Sequence, residues 1–261
     1  MITIDNEFHQ VKLIEQPWDS NIFGFLCGSL EIINKKPENN RINSDRNDDI
    51  LESSLCEIIS SARKEKFRFI TAKINAQKIN VANVCFRNHG ILIDTELTYQ
   101  KTKHEQLEKM SLPKGFAIYK HDRYWNESLL ELTNTLTHSR FFMDKNIDVS
   151  TAQKLWNQSI FNNCNGRANY TVVCFDKDRP IGIMNIFEKD ETSDIFLIAV
   201  LPSYQNMGLG KAMVHFYENN LDPKITKLTV ETQLINYQAQ YFYIRLGYKN
   251  VRSKYIIHFW L

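Results

Sequence analysis

Gly208 and Gly210 stand inside Val200-Leu201-Pro202-Ser203-Tyr204-Gln205-Asn206-Met207-Gly208-Leu209-Gly210-Lys211-Ala212, where a run with the character of a buried strand gives way to helical spacing. Glycine lets a backbone approach a ligand closely, and the first turn of a helix presents unpaired N–H groups at the positive end of its dipole. The chemistry on offer is the capture of a pyrophosphate. A tight strand-to-helix turn would account for the same glycines without any ligand. No Gly-Lys-Ser/Thr closes the loop and the glycines are out of frame for the dinucleotide fingerprint, so neither of those phosphate-binding motifs applies. Further on, in Asn236-Tyr237-Gln238-Ala239-Gln240-Tyr241-Phe242-Tyr243-Ile244-Arg245-Leu246-Gly247, helical spacing puts Asn236, Ala239 and Tyr243 on one face. Packing into a core serves Tyr241 and Phe242 equally well.

These residues need elements to position them. Val11–Gln16 and Phe25–Ile33 read as strands around an aromatic turn, Trp18–Gly24, and the polar stretch Lys35–Asp49 reads as a surface loop. Ile50, Leu51, Leu55, Ile58, Ile59 and Ala62 then recur at helical spacing, with Asp48 or Asp49 as the cap. A strand Phe67–Ile74, a helix Val81–Asn88 stopped by Gly90 and a strand Ile91–Lys101 follow. After Pro113-Lys114-Gly115, read as a linker, come two helices (Glu127–Phe142 and Thr151–Phe161) and three antiparallel strands (Tyr170–Phe175, Ile181–Glu188, Ile195–Val200). A helix Gly208–Asn219, a strand Lys227–Thr232, a helix Tyr237–Leu246 and a strand Ser253–Leu261 complete the chain. The expected fold class is therefore α/β (α+β) with a mixed, mostly antiparallel sheet, divided into 1–115 and 116–261. Ala82, Phe86 and Gly90 repeat the offsets of Ala239, Tyr243 and Gly247, so the first half reads as a weak internal repeat in which Phe86 replaces the tyrosine.

Composition excludes several classes. Of 261 residues, 32 are Lys or Arg and 30 are Asp or Glu, a balance without the basic footprint expected of a nucleic-acid binder. The longest apolar run, Ile195–Leu201, is far shorter than a bilayer requires, and no basic n-region leads into an apolar stretch, so no membrane partner and a cytoplasmic location are expected. The five cysteines form no C-x-x-C pair and the seven histidines no H-E-x-x-H, so no metal is expected.

Gln205-x-x-Gly208-x-Gly210 after Val-x-Pro resembles motif A of the GCN5-related N-acetyltransferase (GNAT) superfamily, and Asn236-x-x-Ala239-x-x-x-Tyr243-x-x-x-Gly247 resembles a second signature of it. That resemblance implies a GNAT fold, with a partial, non-catalytic GNAT-like N-terminal half, and an acyl-coenzyme A co-substrate. The amides of Gln205, Asn206, Met207, Gly208, Leu209, Gly210 and Lys211 would hold the pyrophosphate, and Ile198, Ala199 and Val200 would pair with the pantetheine amides. Asn236, Ala239 and Tyr243 would face the coenzyme. Thioester aminolysis needs a neutral amine, an oxyanion donor and a proton for the thiolate. Tyr243 suits the acid and the Val200 N–H the donor, while water, Glu188, Asp144 and His138 remain open as base. No activating Cys-His pair is visible, so transfer is expected to be direct.

Trp18-Asp19-Ser20-x-x-Phe23-Gly24, Ser139-Arg140-Phe141 and Val230-Glu231-Thr232-Gln233-x-x-Asn236 together are similar to the TDP-fucosamine acetyltransferase group. The implied acceptor is a dTDP-linked amino sugar for surface polysaccharide, with acetyl-CoA or a short hydroxyacyl-CoA such as 3-hydroxybutanoyl-CoA as donor. Trp18, Asp19, Ser20, Phe23, Arg140, Phe141, Asp144 and Gln233 are the expected acceptor-side residues. Another small amine, or acyl-CoA binding without turnover, would use the same two motifs. A monomer and a homodimer are both compatible with this reading.

Overall fold

The computed structural model describes residues 1–35, 41–103 and 112–261. Its contacts divide it into two units, Met1–Glu96 with Arg252–Leu261, and Leu97–Val251. The chain therefore passes between units within two strands rather than at the loop before Phe116.

Unit 1 contains Ile2–Asp5 (β1), His9–Glu15 (β2), Pro17–Phe23 (α1), Leu26–Asn34 (β3), Arg41–Lys64 (α2), Phe67–Asn75 (β4), Ile79–Arg87 (α3) and the start of Ile91–Thr102 (β5). The segment expected to be an aromatic turn is helix α1: Pro17 supplies the preset φ of a first helical residue, and Gly24, at φ +75°, lets its N–H reach the Ser20 carbonyl at 2.9 Å. The expected Lys35–Asp49 loop is also corrected. From Arg41 onward it is helix, so neither Asp48 nor Asp49 caps α2, and residues 36–40 lie outside the described residues. Extending a helix adds a hydrogen bond for each residue fixed and needs no new nucleus, which outweighs the modest propensities of Asn, Ser and Asp. Leu51, Leu55, Ile58 and Ala62 on its inner face are fully buried, as their spacing predicts.

Unit 2 adds Phe116–His121 (β6), a 3₁₀ helix Glu127–Thr135, Arg140–Met143 (α4), Val149–Asn162 (α5), a π turn Asn163–Arg167, Tyr170–Asp176 (β7), Arg179–Lys189 (β8) and Thr192–Val200 (β9). Leu209–Asn219 (α6), Lys227–Gln233 (β10), Tyr237–Arg245 (α7) and Lys249–Trp260 (β11) follow. The single helix expected over Glu127–Phe142 is two pieces. Thr133 Oγ1 donates to the Leu130 carbonyl at 2.6 Å and Thr135 Oγ1 to the Leu132 carbonyl at 2.7 Å, hydroxyl bonds that accompany a tight turn in place of an α-helical one.

The two units share one plan. β1, β2 and β3 are antiparallel, and β3 runs parallel to β4 through the crossover α2. In unit 2, β7, β8 and β9 are antiparallel, and β9 runs parallel to β10 through α6. α3 follows β4 as α7 follows β10. The strand after each of those helices serves the other half of the sequence: β11 lies antiparallel to β4 in unit 1, with Ile257 opposite Ala72, and β5 lies beside β10 in unit 2.

Ile257 is completely buried in the unit 1 core with Val84, Cys85 and Phe259. Ile257→Ala should cost about 2–5 kcal/mol in chemical denaturation. An unchanged midpoint would show that β11 is not integral to that core.

Candidate active site

The site begins where two strands part. β9 pairs with β8 along its length, but Asn185 faces Leu197 while Ile186 faces Ile195, so Phe196 is the extra residue of a bulge. Parallel pairing of β9 with β10 covers Thr192–Ile195 and stops at that bulge. A bulge bends its strand and interrupts the ladder. Beyond it the backbone keeps alternating: Leu201 N–H donates to the Ile181 carbonyl on the β8 side at 2.9 Å. Ala199 and Leu197, in phase with Leu201, therefore also face β8, while Ile198 and Val200 direct their N–H groups towards the side from which β10 has separated. The Val200 carbonyl accepts Gln205 Nε2 at 3.0 Å, which ties the end of the strand to the following loop.

That loop reaches α6 through two left-handed residues, Asn206 at φ +62° and Gly208 at φ +81°. Left-handed turns of this kind turn successive amides to one side, and α6 adds the free N–H groups of its first turn. A methyl on Gly210 would meet the Phe242 ring at an ordinary 3.6 Å, so packing within the protein does not itself demand glycine there. Between this loop, β9, β10 and α7 lies a cavity of about 780 Å³. Ile198, Ala199, Val200, Gln205, Asn206, Gly208, Leu209, Gly210, Lys211, Gln233, Asn236, Ala239 and Tyr243 all line it; Met207 is not among its lining residues.

α7 is fixed by Asn236, whose Oδ1 accepts the Ala239 N–H at 3.1 Å, so this residue is an N-cap as well as part of the wall. The cap aims Ala239 and Tyr243 inward. Tyr243 is only 4% exposed, and burial, with the Asp194 carboxylate adding repulsion, pushes its hydroxyl well above the ordinary tyrosine value. A phenol so placed stays protonated and offers hydrogen-bond donation at the cavity wall.

Of the three side chains weighed as base, His138 lines the cavity; Asp144 and Glu188 are not among the lining residues. Asp144 is buried and accepts the N–H of Asn146 at 2.9 Å and its Nδ2 at 3.1 Å. Glu188 accepts Tyr170 OH at 3.1 Å and Ser193 Oγ at 3.4 Å. Arg140 and Phe141 are likewise not among the lining residues: Phe141 is buried under the Arg140 guanidinium, 4.6 Å from its ring. Trp18, Asp19, Ser20 and Phe23 lie on α1 of unit 1, where Ser20 Oγ donates to the Gln16 carbonyl and accepts the Cys27 N–H, each at 2.9 Å, and Phe23 stacks on Phe69 at 5.4 Å. Sequence reasoning passed over Trp156, whose Nε1 donates to Ser139 Oγ at 2.9 Å, and gave no role to Glu231 or Arg245, although all three line the cavity. A half-buried Trp on an amphipathic helix carries no signal beyond packing. Among the described residues no group of three or more His, Cys, Asp or Glu could hold a metal, and no helix is long and apolar enough to cross a membrane.

Residues 129–248 match the family described as Acetyltransferase (GNAT) family. The spore coat polysaccharide biosynthesis protein SpsD of Bacillus subtilis (strain 168) is 28% identical over 136 residues, 51% of this chain and 47% of that protein, so the match spans about half of this relative's length. Among solved structures, a tandem GNAT protein from the clavulanic acid biosynthesis pathway superposes over 97% of this chain and 79% of its own with a TM-score of 0.60 at 10% identity. A GCN5-related N-acetyltransferase from Kribbella flavida covers 98% of this chain and 88% of its own, with a TM-score of 0.58 at 14% identity. At such identities these structures establish likeness of fold.

Gly208→Val should weaken coenzyme A binding roughly five- to thirtyfold by calorimetry, since a side chain in the left-handed region costs about 1–2 kcal/mol, which the free loop relieves by leaving the turn and the ligand must restore. Unaltered affinity would remove the Gly208 turn from the ligand.

Proposed function

Residues 129–248 form a domain of the acetyltransferase (GNAT) family, and from that premise we propose that the chain is an acyl-CoA-dependent N-acyltransferase whose acceptor is a dTDP-linked amino sugar. The observation that carries the reading is the cavity itself: parted strands offering the N–H groups of Ile198 and Val200, with an amide-rich glycine turn at one side and the buried Tyr243 hydroxyl at another. Acyl-coenzyme A supplies the activated acyl group when bound. The turn from Gln205 to Lys211 takes its pyrophosphate and the open edge of β9 its pantetheine amides.

Transfer is direct. The amine nitrogen gives up a proton, for which we assign His138 because it lines the cavity, and forms a C–N bond to the thioester carbonyl. The Val200 N–H stabilises the developing oxyanion. The C–S bond then breaks, and Tyr243 donates to the departing sulfur. An alkyl thiol has a pKa near 8.5, below that of Tyr243, so the phenol stabilises the thiolate by hydrogen bonding before any full proton transfer. A sugar acceptor is supported by the polysaccharide-biosynthesis name of the Bacillus relative. The thymidine diphosphate carrier and the choice of acetyl-CoA or 3-hydroxybutanoyl-CoA rest on the sequence resemblance. A panel of thymidine- and uridine-linked amino sugars with both donors, read by mass spectrometry, tests this: a product heavier by one acyl group is expected. Turnover with unlinked amines alone would replace the acceptor class.

Tyr243→Phe should lower kcat by about 10²–10⁴ with little change in coenzyme A affinity, the signature of a lost hydrogen-bond donor to the departing sulfur. Because burial raises this hydroxyl above 10.0, kcat should show no alkaline loss attributable to Tyr243 below that pH. A falling limb below pH 10 that vanishes in the Phe variant would contradict the assignment.

A further inference from the structure

The turn Asn163–Arg167 at the end of α5, where Asn165 and Gly166 leave helical geometry, has no part in the mechanism above. Gly166 adopts φ +105°, and a Cβ on it would stand 3.0 Å from Arg123 Nε, so its bare backbone is what lets that exposed guanidinium lie on the turn. The next residue, Arg167, is also exposed, and its guanidinium carbon is 5.8 Å from the ring centroids of both Phe187 on β8 and Phe196 on β9. Those two rings are 5.3 Å apart. Phe196 is the bulged residue of β9; it is 39% exposed and lines the cavity.

This shelf lies four residues back along β9 from Val200, about 13 Å at strand rise, on the side away from the glycine turn. Arg123 and Arg167 are not among the cavity's lining residues, but Arg167 adjoins Phe196, which is, so the cavity has backbone amides suited to an anion on one side and guanidinium groups beside its rim at Phe196. A direct transfer between acyl-coenzyme A and a nucleotide sugar brings together two substrates that each carry a diphosphate. Guanidinium forks match phosphate oxygens bidentately, and an exposed aromatic face stacks on a planar base. We propose that Arg167 and Arg123 bind the diphosphate of the acceptor and that Phe196 receives its base. The assignment deepens, and rests on, the acceptor class proposed above.

Thymidine diphosphate alone, titrated calorimetrically into the intact chain, provides the test. Arg167→Gln should weaken its binding tenfold or more, as loss of a hydrogen bond to a charged group does, and Phe196→Leu should weaken it by several-fold. Coenzyme A affinity and thermal stability should stay at wild-type values, and KM for the nucleotide-linked amine should rise with the weaker diphosphate binding. Equal thymidine diphosphate affinity in wild type and Arg167→Gln, with acylation of nucleotide-linked amines intact, overturns the shelf and leaves the transfer reading standing. Arg167-dependent diphosphate binding with no acylation of any nucleotide-linked amine supports the shelf and overturns the transfer reading.

Discussion

Everything in the site depends on β9 and β10 ceasing to pair at Ile195. Two adjacent parallel strands normally satisfy one another's amides, and a sheet that did so to its end would present no backbone to a ligand. The bulge at Phe196 breaks that reciprocity at a cost in local hydrogen bonds, and β8 holds β9 in line on the other side, so the strand bends without dissolving. The same extra residue turns one aromatic ring out of the ladder. One irregularity therefore leaves an open strand edge and an exposed aromatic ring on the cavity wall.

The rigidity that makes such an opening tolerable comes from beneath it. Lys101 of β5 reaches the Glu218 carboxylate of α6 at 2.8 Å with both side chains largely buried, and Tyr248 OH donates to the same carboxylate at 3.3 Å. A buried pair of this kind is costly to break because one charge is left without compensation. It pins the C-terminal half of α6, so that the N-terminal turn is presented to the cavity from a fixed base. At the other wall, Asn236 caps α7 and sets the direction of Tyr243. Burial holds the phenol in its protonated form, and the cap keeps it on the correct face.

How far the sequence discloses this depends on the range of the interaction concerned. The glycine turn, the tyrosine helix and the strands Phe67–Ile74 and Tyr170–Phe175 are local, and spacing alone places them within a residue or two of the observed bounds. The helix over Arg41–Asp49 is hidden because its residues favour loops on their own and become helical only as an extension of a buried apolar stripe. The distribution of acceptor-side residues is hidden for a different reason. Arg140, Phe141 and Asp144 follow directly on Ser139, which lines the cavity, yet none of the three is among the lining residues: Phe141 and Asp144 are buried and Arg140 lies over the Phe141 ring. The bulge at Phe196, a matter of register between strands, leaves no mark in residue type.

The exchange of closing strands ties the order of synthesis to the order of completion. Unit 1 is begun first, yet β4 lacks its antiparallel partner β11 until Arg252–Leu261 has been made. In that interval the β4 edge carrying Phe69, Ile70 and Ala72 has no native neighbour, the kind of exposed apolar strand that recruits other chains. The exposure of that edge during translation is thus set by residues about 180 positions further along the sequence than β4.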